Sequence, residues 1–217
     1  SLYGVTVENV VKKGICSESG TVSVENVVIK KADDGVYLNH AETAGTLSVK
    51  GATIENVTRG IAIAKGKVIA EDVTVKKSTE EGAKVHTYGV YVYSKNSTAE
   101  LKEVTVEDAT IAGVYAENGT VFADTLIMRR GAKAIYNKAG VIGTEEKPVT
   151  GVSIEKSSGH GIHNEKGTLY IDGLTIANDV AKSKKGIAIQ GGTVSVKNAE
   201  ISGTKESAVY IGKSGDV

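Results

Sequence analysis

The chain is 217 residues long and 40% hydrophobic, and its 26 lysines and arginines balance 26 aspartates and glutamates to zero net charge. With no run of five like charges, that balance argues against nucleic acid or an anionic membrane as a partner. No stretch approaches the length of a membrane span, and the lone Cys16 excludes an internal disulfide.

In chain order, one phrase recurs. The first residues, through Gly4 and Val7, read as the second strand of a coil already under way. Gly20-Thr21-Val22-Ser23-Val24 then opens a unit that begins again at Gly45, Gly66, Ser97, Gly119, Gly140, Gly167 and Gly192, at intervals of 25, 21, 31, 22, 21, 27 and 25 residues. A period of this size, made of short alternating apolar runs, is the signature of a solenoid. Gly45 to Lys65 is the reference coil: Leu47 and Val49, Ala52 and Ile54, and Ile61 and Ile63 are three period-two strands with one buried face each. Turns this short cannot make hairpins, so each strand must pair with its counterpart one coil later. The expected fold is all-β, a parallel β-helix with three short strands per coil, about eight or nine coils and a rod about 40 Å long at the strand spacing.

Columns of equivalent residues set the register. The bend after the first strand carries Gly4, Asn26, Gly51, Asp72, Gly151, Gly173 and Asn198, residues that accept left-handed backbone angles cheaply, but Glu103 and Thr125 interrupt it. A second small-residue column runs from Gly14 and Gly35 to Gly186 and Ala208. Val7, Ile29, Ile54 and their successors, and Ile15, Val36, Ile61 and theirs, form two apolar stacks. An outward column reads Glu8, Lys30, Glu55, Lys76, Glu107, Arg129, Glu155, alternating in sign from coil to coil. Three loops protrude, Lys77 to His86, Gly143 to Thr150 and Asn178 to Lys185. Gly212 to Val217 open a further coil without completing it, and neither end carries a polar cap. Residues 1–217 are thus expected to be one β-helix domain and a section of a longer protein.

The phrases Gly20-Thr21-Val22-Ser23-Val24-Glu25-Asn26-Val27-Val28-Ile29 and Gly60-Ile61-Ala62-Ile63 resemble the right-handed parallel β-helix superfamily over essentially the whole chain. Within it, the repeat style is similar to bacterial autotransporter passenger domains and, more distantly, to pectate lyases and polygalacturonases. The first resemblance implies a non-catalytic adhesin or self-associating scaffold, at the bacterial cell surface or secreted, whose partner is a host-cell protein, a glycan or another copy. The second implies a polysaccharide lyase or hydrolase; a purely structural stalk is a third possibility.

The outward column of the third strand is Cys16, Tyr37, Ala62, Tyr91, Tyr115, Tyr136, His163, Ala188, Tyr210. Tyr91, Tyr115, Tyr136 and His163 form an aromatic stripe over four coils, with Tyr88 and Tyr93 at its start. Such rings make either a stabilising ladder or a flat amphipathic platform for a glycan or protein. Gly159-His160-Gly161 is similar to the Gly-His-Gly of polygalacturonases, but Asp33-Asp34 lies coils away and the stack neighbours of His160 are Lys133 and Lys185. No pair of carboxylates is placed for glycoside chemistry, so no catalytic residue is assigned. Asp34 and Arg59 are expected to pair as a surface bridge, and no metal or cofactor is expected.

Overall fold

A computed structural model describes residues 1–40, 45–79 and 81–212; the residues expected beyond Gly212 to open another coil lie outside this set. All regular structure within it is β, one parallel 18-stranded sheet wound on itself in about eight turns. Every strand pairs with its counterpart in the neighbouring coil. On the third face the register runs Ile15↔Val36↔Ile61↔Val90↔Val114↔Ile135↔Ile162↔Ile187↔Val209; the shift between Leu38 and Asn39 falls beyond this column, at the end of its strand. The second face aligns Val7↔Ile29↔Ile54 and Val106↔Met128↔Ile154↔Ile176↔Ile201 in the same way. Between the end coils these side chains are buried, filling the lumen with stacked aliphatic groups.

The corners explain how so few residues turn the chain. Asn26, Gly51, Asp72, Gly151, Gly173 and Asn198 all have positive φ, and so do Glu103 (53°) and Thr125 (63°). The two interruptions are therefore no break in register: the corner imposes its conformation on residues that disfavour it. Because this corner is one residue wide, the first and second faces are commonly a single bent strand, as in Ser97–Glu107 and Thr168–Ala177, rather than two separate ones. A second left-handed corner follows the charged column, at Asn9, Lys31, Asn56, Asp108, Arg130 and Lys156. The loops after Lys76 and Ala177 leave where this corner would otherwise close.

The small column before the third strand has a different cause. A Cβ on Gly35, Gly60, Gly89 or Gly186 would lie 2.5–2.7 Å from the carbonyl oxygen of its counterpart one coil on, so space, not backbone angle, selects glycine there. The charged column aligns as expected, with ion pairs Lys30–Glu8 (3.2 Å), Lys76–Glu55 (3.6 Å), Arg129–Glu107 (3.4 Å) and Arg129–Glu155 (3.2 Å).

Candidate functional site

The third-face register brings the stripe together. Tyr91 is the partner of Tyr115, Tyr115 of Tyr136 and Tyr136 of His163. Ring centroids are 4.8, 4.8 and 5.0 Å apart along that series, close to the strand spacing. Tyr136 and His163 are parallel within 5°, Tyr88 stacks on Tyr115 at 5.2 Å, and Tyr93 stacks on Tyr91 at 3.7 Å. The ring faces are thus largely occupied by one another. Tyr115 is only 7% exposed and His163 9%, so what solvent meets is a row of ring edges and hydroxyls rather than a flat aromatic platform.

Two carboxylates that sequence reasoning passed over tie this row down. The Tyr91 hydroxyl donates to Glu117 at 2.5 Å, and the Tyr136 hydroxyl donates to Glu165. Glu117 also accepts from Lys138 Nζ at 3.0 Å. Each acid lies two residues after a stripe residue, Tyr115 and His163, just beyond the end of that residue's strand (Ala112–Ala116 and His160–Asn164); the i, i+2 spacing that keeps strand residues on one face was the signal for them. The electrostatics follow. Burial first, then the bond to Glu117, pushes the Tyr91 phenol far above its ordinary range, and Tyr136 is raised by burial and Glu165. Burial also raises Tyr88 and Tyr115. The Tyr91 bond, opposed by burial and aided by Lys138, holds Glu117 below the usual carboxylate range.

At the start of the stripe, Arg59 donates to both Asp34 oxygens, Nε to Oδ1 at 2.5 Å and Nη2 to Oδ2 at 2.9 Å, and Nη1 donates to the Tyr93 hydroxyl. The expected surface bridge is instead a covered one: Asp34 is 3% exposed, because the long Arg59 side chain lies across it with Tyr93 over the guanidinium. Burial raises the Asp34 pKa, and Arg59 opposes that.

Inside the turn behind the stripe, Asn137 and Asn164 are fully buried and form a second ladder the sequence reading missed. Asn137 Nδ2 donates to Asn164 Oδ1 at 2.8 Å, and Asn164 Nδ2 donates to the carbonyls of Gly167 (3.0 Å) and Gly191 (2.7 Å). Its signal was the repeated Asn-x-x-Gly at Asn137–Gly140 and Asn164–Gly167. These bonds satisfy the orphan carbonyls of the corner and stiffen the strand ends that carry Tyr136 and His163.

Residues 1–144 match the family model for the right-handed β-helix region. The chain belongs to the right-handed β-helix family. That sets the hand of the winding, in keeping with the preference of parallel β connections. No curated protein and no solved structure matches the chain. On this right-handed β-helix, His160 pairs in register with Lys133; burial first, then the charges of His163, Lys185, Lys133 and Lys184, lowers its pKa to about 4, and the Glu206 carboxylate also lies within electrostatic reach of it. Among the described residues no three His, Cys, Asp or Glu side chains converge as a metal site requires.

Proposed function

We propose that this β-helix is a non-catalytic binding scaffold, a section of a bacterial surface or secreted protein of the autotransporter-passenger kind, which adheres to a host or neighbouring-cell ligand or to its own copies. The observation that carries this reading is the tethering of the stripe. A ladder that served stability alone needs only stacked rings. Here the outer rim of the rings also bears Glu117, Lys138 and Glu165, each held by a neighbour one coil away. Fixed acceptors and donors at the coil spacing lose little entropy on binding, which favours contact with hydroxyl-rich glycan or with a polar protein face. Because ring faces are already spent, the partner meets edges and polar groups, and affinity accumulates from many small contacts along a stiff rod.

Replacing Glu117, Lys138 and Glu165 together with Ala, which leaves every ring in place, tests the reading. Retention on a glycan array or host-cell layer, or self-association followed by light scattering, should fall while the β-sheet circular dichroism is unchanged. Undiminished binding by the triple variant sinks the reading, as would release of unsaturated or reducing-end products from polygalacturonate by the wild-type chain.

A further inference from the structure

A cleft of about 380 Å³ opens beyond the His163 end of the stripe, lined by Lys133, Ser158, His160, His163 and Lys184. Adjacent coils bring the two sides together, since Lys133 and His160 are register partners. Lys184 comes from the loop after Ala177, whose closing end is fixed by its backbone N–H donating to the Gly159 carbonyl at 2.8 Å. Two features of this cleft are unexplained by packing. His163 is nine-tenths buried, yet neither of its ring nitrogens has a hydrogen-bond partner, and the buried Nδ1 of His160 has none either. Gln190 lies close enough to favour a charged His163 without reaching bonding geometry. Buried polar atoms left open in this way normally await a partner.

The second feature is charge. Lys185 is neutralised by Glu206 at 2.7 Å, and Glu165 takes the Tyr136 hydroxyl. Lys133 lies over the Tyr136 ring at 4.4 Å instead of against an acid, and Lys184 makes no ion pair among the described residues. Two ammonium groups without an ion-pair partner among the described residues therefore flank imidazoles with unbonded nitrogens, with the single carboxylate of Glu206, already bonded to Lys185, within electrostatic reach of Lys184 and His160. A cation would be repelled here; an anion would be neutralised by the lysines and receive N–H bonds from the rings.

We propose that this cleft binds an oxyanion, the carboxylate, sulfate or phosphate group of a ligand, between Lys133 and Lys184 with His160 and His163 as donors. It does not depend on the stripe being a contact surface, and either could fail alone. Bound anion favours protonated imidazole, so binding strengthens as pH falls from 7 towards 5. The titratable groups facing the pair are Lys133, Lys184, Lys185, Glu165, Glu206 and Tyr136.

The test is a titration of the 15N-histidine-labelled chain with sodium sulfate and with sodium acetate, against sodium chloride at equal ionic strength, read at the imidazole nitrogens. Saturable shifts at His160 and His163, with the buried His86 unmoved, are expected. Sulfate, whose charge is constant over this range, should bind more tightly at pH 5 than at pH 7. Lys184→Gln, a change at an exposed loop residue, should weaken binding about fivefold or more, and Lys50→Gln on the first face should not. A stronger response to sulfate points to a sulfated or phosphorylated ligand and a stronger response to acetate to a uronic acid; both support the site. Shifts no larger than with chloride, or affinity indifferent to Lys133→Gln and Lys184→Gln in folded protein, overturn it.

Discussion

The hydroxyl of Tyr91 reaches across a coil boundary to donate to Glu117 at 2.5 Å, so a ring in one turn is anchored by an acid in the next. A partly exposed bond of this kind to a charged acceptor contributes about 1 kcal/mol. Tyr91→Phe keeps the stack and removes only the bond, and should lower the unfolding free energy by that amount in a urea titration. The same bond and the burial of the rings resist phenol ionisation. Tyr91, Tyr136, Tyr88 and Tyr115 all have folded pKa values above the unfolded value near 10. Their stabilising contribution is complete below pH 10 and is lost as pH rises beyond it, since only the unfolded chain then sheds the protons. Alkaline absorbance titration should show a late-ionising set of tyrosines that merges with the rest on unfolding.

His86 gives the complementary prediction at acid pH. It is 1% exposed, neither ring nitrogen reaches full hydrogen-bond geometry, and burial, opposed by the nearby Val57 backbone and the Asp108 charge, lowers its pKa to about 4. The unfolded chain takes up a proton near pH 6.5 and the folded chain does not, so stability falls as pH drops through that window. The loss should approach roughly 3 kcal/mol below pH 4. His160 and His163 are lowered in the same direction and add to the slope. His86→Leu removes one proton from the linkage, and the difference between wild-type and variant stability curves isolates it. Parallel curves between pH 7 and 4 would contradict the neutral, buried assignment.

Thr125 sits at φ 63°, a left-handed angle that a β-branched residue adopts only at a cost. Its equivalents in the following two coils are Gly151 and Gly173. Thr125→Gly should therefore stabilise the chain by about 1 kcal/mol after allowing for the greater freedom of glycine in the unfolded state, raising Tm by about 2–4 °C. Gly151→Thr should do the opposite, because at φ 60° a β-branched side chain is placed in the left-handed region. Differential scanning calorimetry of the two variants checks both signs.

The alternating apolar runs and the Glu8-to-Glu155 charge column made the winding and its register legible in the sequence, because a β-strand has a period of two and a solenoid repeats every side-chain direction coil by coil. That logic located the stacked partners of Tyr91, Tyr115, Tyr136 and His163 correctly. It also left Glu103 and Thr125 looking like breaks, since propensity cannot report a corner that tertiary pairing enforces on unsuitable residues.

What the sequence determined by itself is which residues share a column, for that depends only on local periodicity and repeat length. The tertiary structure alone decided how those columns are used. Whether a ring shows its face or its edge, whether Asp34 is open or covered by Arg59 and Tyr93, and whether His163 finds a partner all depend on side chains that converge from different coils and loops. Such contacts are set by distances between residues some 25 positions apart, as for Asp34 and Arg59, and by long side chains folding over their neighbours. Repeat phase holds no information about either.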